Sequence, residues 1–135
     1  KQTRMEIKGE YIMGRGTIEI WSDAAAPKDA ETPVILYTHW GAKRMMGNLI
    51  SALKRKERWS DPPYLSRIIF CEMIAGNYNS TTGYGIQTYN AGDTEEEIVI
   101  DCSRCEVTRT RTGHSKQIFT FKELINKANK KEEEE

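Results

Sequence analysis

A histidine and a glutamate are the two residues of the chain best suited to acid–base chemistry. His39 closes a run of apolar and β-branched residues just before Gly41, so its side chain is expected at the end of a strand, where pockets form on the rim of a sheet. Glu72 lies on or beside the apolar stripe of a predicted helix. A histidine next to a partly buried carboxylate can act as a general acid and base. A structural hydrogen bond between helix and strand is the commoner role of such a pair.

Three more side chains extend this pair into a candidate binding site. Trp40 follows the histidine, Tyr84 opens a later strand, and Arg67 lies on the same helix as the glutamate. No nucleophile, metal-ligand set or phosphate-binding loop accompanies them, so we expect binding without catalysis and without a cofactor. The predicted ligand-binding residues are His39, Trp40, Glu72, Tyr84 and Arg67, and in an enzyme His39 and Glu72 would be the acid and the base.

Two cysteines raise the question of a metal site. Cys102 and Cys105 have the spacing of half a zinc site, and His114 follows nine residues later. A structural zinc site needs four ligands and the second pair is missing, while Cys71 falls within a helix where we expect it to be buried. We therefore interpret residues 102–105 as a hairpin turn. An odd number of cysteines without a secretory signal also favours a reducing compartment.

Basic residues define two further binding hypotheses. The 20 Lys and Arg residues equal the 20 Asp and Glu residues in number, so no net charge attracts a polyanion and nucleic acid is the less favoured partner. A basic cluster could instead receive a small anion such as a nucleotide, or an acidic protein. The nucleic-acid alternative rests on Arg104, Arg109 and Arg111, if they lie on the sheet face away from the helices with Tyr89 or Trp21 nearby. The basic cluster consists of Lys43, Arg44, Lys54, Arg55, Lys56 and Arg58.

A helix over residues 61–76 is the most completely specified element that positions these side chains. Asp61 is a suitable N-cap, Pro62 suits the first helical position, and Gly76 supplies the left-handed residue that ends helices. Apolar residues recur at helical spacing between these ends, at Leu65, Ile68, Ile69, Met73 and Ile74. One face of the helix must therefore be buried.

The remaining patterns predict an α+β fold. Residues 42–56 have the pattern of an amphipathic helix, and Thr120 with Glu123 forms a capping box for a C-terminal helix that reaches about Ala128. Strands are predicted over residues 16–21, 34–40, 84–89, 96–101 and 106–111, with a short edge strand or packed segment over residues 118–121. The prediction is an antiparallel sheet of about five strands in the order ββααβββα, with the two central helices on one face.

The length of 135 residues and the composition predict one domain over residues 13–128. Residues 129–135 are a charged tail, and residues 1–12 are interpreted as a translated leader before Met13 or as a flexible arm. No apolar run approaches the roughly 20 residues of a membrane helix and no signal peptide is visible, so we expect a cytoplasmic protein without a membrane partner. An exposed antiparallel sheet makes a homo-oligomer reasonable.

Three segments carry a resemblance to a group of short uncharacterised phage and prokaryotic proteins. They are Leu-Tyr-Thr-His-Trp-Gly at residues 36–41, Tyr-Leu-Ser-Arg-Ile-Ile-Phe-Cys-Glu-Met at residues 64–73, and Thr-Gly-Tyr-Gly-Ile at residues 82–86. The resemblance covers residues 16–107. Members carry a second glycine where this chain has Ala42, and a turn without cysteine where this chain has Cys102 and Cys105. The resemblance implies a bacterial cytoplasm, or that of a phage host, and no activity.

These observations favour a non-enzymatic small binding protein of phage or mobile-element type. Its ligand, a small and nucleotide-like anion or else a protein partner, is expected near the strand-end His39 and Trp40. A small enzyme with a His39–Glu72 acid–base pair is the alternative, and nucleic-acid binding through the basic hairpin strand is the second.

Overall fold

The computed structural model describes residues 6–7, 10–11, 14–27 and 29–134. Its strands are β1 (Glu6–Ile7), β2 (Glu10–Tyr11), β3 (Gly16–Trp21), β4 (Val34–Thr38), β5 (Tyr84–Gln87), β6 (Glu96–Asp101), β7 (Glu106–Arg111) and β8 (Gln117–Thr120). Its helices are α1 (Ala42–Lys54), α2 (Pro62–Met73) and α3 (Phe121–Glu134). The predicted α+β class is confirmed.

The main sheet has six strands in the order β5-β4-β3-β6-β7-β8. β3 and β6 are parallel, with Ile18 opposite Ile98, and every other neighbouring pair in this sheet is antiparallel. The prediction of an antiparallel sheet of about five strands is therefore wrong. The alternation of apolar residues predicts that a strand exists, but it does not say which strand lies beside it.

A crossing loop, residues 88–95, produces the parallel pair. It carries the chain from β5 at the edge, past β4 and β3, to β6. Asn90 donates to Glu19 Oε2 over 2.8 Å, and Arg15 Nη1 lies 2.9 Å from Asp93 Oδ2. Glu19 alternates with the core residues of β3, so the loop lies on the face opposite the helices and covers the centre of the sheet there.

The core lies between the sheet and the helices. Ile18, Leu36, Ile98 and Val107 come from one face of the four central strands, and none is more than 1% exposed. The apolar stripes of the helices pack against them through Met45, Leu49, Leu53, Leu65, Ile69, Phe121 and Leu124. The predicted amphipathic patterns of all three helices account for this burial.

The helix ends agree with the sequence in part. Asp61 lies at the N-cap of α2 in extended conformation, but its side chain makes no capping bond and instead lies 3.4 Å from Arg58 Nη1. Gly76, just beyond the helix, has the expected positive φ of 82°. For α3 the capping box is confirmed: Thr120 N–H donates to Glu123 Oε1 over 2.8 Å, and Glu123 N–H donates to Thr120 Oγ1 over 3.0 Å.

Several boundaries differ from the predicted ones. β4 ends at Thr38, before His39 and Trp40, because the Thr38 hydroxyl accepts the Gly41 N–H over 2.8 Å and turns the chain. α3 continues past Ala128 to Glu134, so most of the predicted charged tail is an exposed extension of the helix. The β1–β2 pair is separate from the main sheet, and most of the predicted leader, residues 1–12, lies outside the described residues. None of the helices in the described part is long and apolar enough to cross a bilayer.

Candidate functional site

The predicted His39 and Trp40 lie at the end of the sheet, beside the start of β5. His39 N–H donates to the carbonyl of Gly83 over 2.9 Å, and the two rings meet edge to face with centroids 5.1 Å apart. Trp40 covers Gly83 so closely that a Cβ there would lie 3.0 Å from the ring. Both side chains are exposed, so the strand end presents an aromatic surface to solvent.

Tyr84 joins this strand-end cluster through its hydroxyl, which accepts from Arg44 Nη2 over 3.2 Å. His39 Nδ1 lies at hydrogen-bond distance, 3.0 Å, from the hydroxyl of Tyr37. Three of the five predicted ligand-binding residues, His39, Trp40 and Tyr84, thus lie together. Thr38 and Tyr84 are register partners on neighbouring strands, which explains the proximity.

Glu72 and Arg67 do not join the cluster. Glu72 is half-buried in the last turn of α2, and within the described part of the chain its carboxylate makes no hydrogen bond or ion pair with His39. The geometry of a general acid–base pair is therefore not formed. Arg67 lies on the outer face of α2 and lines a different cavity.

That cavity, here called the arginine cleft, lies between the outer face of α2 and the loop that joins α1 to α2. Its volume is about 500 Å³. Tyr64, Arg67 and Cys71 recur at helical spacing opposite the buried stripe of α2, and the loop supplies the other wall. The residues that line it include Arg55, Glu57, Arg58, Tyr64, Arg67 and Cys71.

The loop side of the arginine cleft is fixed to the core by Trp59. Its indole N–H donates to the carbonyl of Leu53 over 3.2 Å, and its ring packs edge to face on Phe121 at 5.3 Å. Lys56 and Arg58 adopt left-handed conformations, with φ of 55° and 59°. Such a conformation costs a non-glycine residue about 1–2 kcal/mol, so the packing around Trp59 holds this loop in its shape.

The arginines that line the arginine cleft differ in whether their charge is paired with a carboxylate. Arg55 Nη2 lies 3.0 Å from Glu57 Oε1, and Arg58 pairs with Asp61 while its guanidinium lies 4.8 Å from the centroid of the Tyr64 ring. Arg67 has no hydrogen-bond or ion-pair partner within the described part of the chain. Its guanidinium is exposed at the cleft and available to an anion.

The arginines of the nucleic-acid alternative do not form a platform. Arg109 and Arg111 alternate along β7 on the same face as Val107, and Val107 is fully buried, so this is the face of the helices and not the opposite face that the alternative requires. Arg109 is paired with the buried Glu96 over 2.7 Å. Arg104 lies in the β6–β7 turn, where one nitrogen is within 2.8 Å of both Asp23 and Asp101.

The cysteines and His114 are not arranged as a metal site. Cys102 and Cys105 lie in the predicted β6–β7 turn, whereas His114 lies beyond the far end of β7. Within the described residues no three His, Cys, Asp or Glu side chains are grouped so that they could hold a metal ion. Burial raises the pKa of Cys102 to about 12 and also raises the pKa of Cys105, which disfavours the thiolate that a metal would need as its ligand. Cys71 is exposed, contrary to expectation.

The sequence interpretation missed the arginine cleft as a unit. Arg55 and Arg58 belong to the predicted basic cluster and Arg67 to the predicted ligand-binding residues, whereas the sequence interpretation includes neither Tyr64 nor Cys71 in a binding site. The signal was present: residues 64, 67 and 71 fall on one face of a helix whose other face is apolar, next to a loop rich in Lys and Arg. The sequence pattern alone does not predict that the loop between α1 and α2 runs back over the outer face of α2.

Comparison with known proteins adds no family to these observations. Protein-family models, curated proteins and solved structures were compared with the chain, and none matches it significantly. The resemblance to short phage and prokaryotic proteins stays a prediction.

Proposed function

We propose that the chain is a non-enzymatic binding protein for a small anionic ligand, and that the arginine cleft receives it. The observation that carries this proposal is the guanidinium of Arg67, which has no partner among the described residues, at a cleft that Arg55 and Arg58 also line. The sequence predicts the ligand near His39 and Trp40, whereas we propose the site at the cleft lined by Arg67, another of the five predicted ligand-binding residues.

The chemistry of the cleft favours a phosphate or a carboxylate. A guanidinium presents its N–H groups in a planar fork that matches the oxygens of either group, and such charge-assisted bonds are among the strongest in proteins. The Arg58 guanidinium already covers one face of the Tyr64 ring, so an aromatic ring could stack on the other face or displace Arg58. A nucleotide combines the two features, so a nucleotide-like ligand is the class we propose.

The loop conformation supports a binding role over a purely structural one. Two positive-φ residues on either side of Glu57, Lys56 and Arg58, are strained, and strained backbone is often found at ligand sites because it holds side chains in place before binding. A fixed loop lowers the entropy lost when the ligand is captured. We place this activity in the cytoplasm of a bacterium or of a phage host, as the resemblance implies.

The enzyme alternative has less support. His39 contacts Tyr37 and Trp40, and within the described residues no carboxylate is paired with it. Binding of a protein at the strand-end cluster is better supported, because Trp40 is 40% exposed beside β5, the outermost strand of the main sheet in the described part of the chain.

The test is isothermal titration calorimetry with ATP, AMP and inorganic phosphate on the full chain and two variants. Arg67→Gln removes the unpaired guanidinium and should weaken nucleotide binding by at least about tenfold, since a charged hydrogen bond contributes about 1.5–3 kcal/mol. Lys130→Gln removes the same charge from the exposed end of α3 and should leave binding unchanged.

The Cys71 thiol gives an independent readout. It lines the cleft and is exposed, whereas Cys102 is buried and Cys105 half-buried. Saturating nucleotide should slow the reaction of this thiol with a neutral maleimide. If none of the three anions binds, and the gently purified chain shows only its own mass in native mass spectrometry, the proposal is wrong.

A further inference from the structure

Strand β5 is one edge of the main sheet, and among the described residues nothing pairs with the main-chain groups on its outer side. β5 is the outermost strand beside β4, with Gly85 opposite Tyr37 and Gln87 opposite Ile35. His39 N–H donates to Gly83, so residues 83, 85 and 87 direct their main-chain groups toward β4. The N–H and C=O groups of Tyr84 and Ile86 must then point outward, away from the sheet.

Nothing in the sequence of β5 discourages another strand from pairing there. Sheet edges are usually protected by lysine, proline, a bulge or a covering element. Residues 84–87 are Tyr-Gly-Ile-Gln, and residues 73–92 contain no charged side chain although 30% of the chain is charged. Ile86 is 65% exposed, and Tyr78 and Tyr89 on either side of the strand are exposed as well.

The opposite edge of the main sheet, strand β8, is partly protected against pairing with another strand. The Thr120 N–H is used by Glu123 in the capping box, and Lys116 and Lys122 flank the strand. Ile118 at its centre is 63% exposed, nearly the same as Ile86. The two edges therefore match in apolar exposure and differ in charge and in free main-chain groups.

We propose that β5 pairs with β5 of a second copy of this chain, in antiparallel orientation about a two-fold axis at Gly85. This register places Tyr84 opposite the partner's Ile86, so that the outward groups of both residues exchange N–H···O bonds across the interface. The aromatic and β-branched side chains meet as a favourable cross-strand pair, and the symmetry forms that pair again on the other side of the axis. The two sheets become one continuous sheet.

Space and charge at the axis fit a second copy better than another partner. Gly85 faces itself across the axis, and a Cβ added there would meet no atom within 4 Å in the monomer. β5 itself carries no charged side chain, so pairing with itself sets no like charges of the strand against each other. Arg44 beside it is engaged with the Tyr84 hydroxyl, and within the strand a charged peptide finds no side chain of opposite charge.

Analytical ultracentrifugation over a range of concentrations tests the proposal. We expect a monomer–dimer equilibrium, and Ile86→Lys should raise the dissociation constant at least about tenfold because it removes both symmetric cross-strand pairs and charges the edge. Ile118→Lys, the matched change on β8, should leave the equilibrium unchanged. Equal thermal midpoints of the two variants would show that both remain folded.

A cross-link tests the register. Facing residues of a non-hydrogen-bonded pair have Cα atoms about 4.5 Å apart, within the range of a disulfide. Gly85→Cys, made together with Cys71→Ser to remove the exposed thiol, should give a disulfide-linked dimer on mild oxidation, and Ile118→Cys in the same background should not. A chain that stays monomeric at every concentration, or a dimer that withstands Ile86→Lys, overturns the proposal.

Discussion

Asp101 is the residue with the densest set of contacts in the β6–β7 turn. Its Oδ1 accepts from the Ser103 hydroxyl over 2.7 Å and from the Arg104 N–H over 3.2 Å, while Oδ2 lies 2.6 Å from Arg104 Nη1. Burial alone would raise the pKa of this carboxyl. The hydrogen bonds from Ser103 and Arg104 outweigh burial and hold the pKa below its ordinary value. The turn is thus stabilised by an ionised, buried carboxylate.

Asp101→Asn should lower the free energy of unfolding by about 2 kcal/mol at neutral pH, because it removes the charge from these bonds. A carboxyl with a depressed folded pKa binds fewer protons folded than unfolded. Its contribution is therefore complete above the ordinary value of about 3.9 and is lost as pH falls through the lower folded value. Urea denaturation at a series of pH values should show the unfolding free energies of the wild type and the variant converging as the solution becomes acidic. Asp93→Asn, which breaks an exposed pair, should cost at most about 1 kcal/mol.

The Glu96–Arg109 pair is the most enclosed ion pair of the described residues, with side chains 6% and 19% exposed. Arg109→Met leaves the carboxylate buried without its partner and should cost about 3–5 kcal/mol of unfolding free energy. Adding Glu96→Leu removes the buried charge and should restore most of that loss. Chemical denaturation of the single and double variants measures this; a double variant no more stable than Arg109→Met alone would contradict the assignment.

At the scale of the element, the two glycines around Tyr84 have opposite roles. Gly83 has φ of 102° and lies under Trp40, whereas Gly85 has open space where a Cβ would be. Gly83→Ala should cost about 1–2 kcal/mol or more, since it adds a left-handed alanine and pushes on the indole. Gly85→Ala should be neutral or slightly stabilising. Thermal denaturation of both compares them directly, and equal midpoints would show that the Trp40 contact constrains nothing.

Elements with local signals could be predicted, and those without could not. β3 and β6 have the predicted bounds because isoleucine recurs at every second residue in each, and the Thr120–Glu123 box fixes the start of α3. The end of β4 was missed by two residues because the Thr38 hydroxyl, and not a glycine or proline, turns the chain. α3 was predicted too short because its charged end has helix-forming residues and no stop signal.

At the scale of the whole molecule, neither the order of the strands in the sheet nor the candidate site could be predicted from the sequence. The parallel pairing of β3 with β6 depends on the route of residues 88–95, and no residue in that loop identifies the neighbour of β3. Arg67 is among the predicted ligand-binding residues, but the cleft that it lines depends on the left-handed Lys56 and Arg58, which nothing in their side chains predicts. The pairing of strands and the path of a loop are properties of the folded chain as a whole.

The parallel pair of β3 and β6 also affects how the chain folds. Gly16 lies opposite Glu96, and the neighbouring Arg15 bonds to Glu95 across a separation of 80 residues. The N-terminal half, β3 to β5, can form its hairpin and helices early but leaves the inner edge of β3 open until β6 has been synthesised. Contacts this distant in sequence slow folding, because a long loop must be closed before they contribute. We expect slow folding, with an aggregation-prone intermediate whose exposed strand is β3.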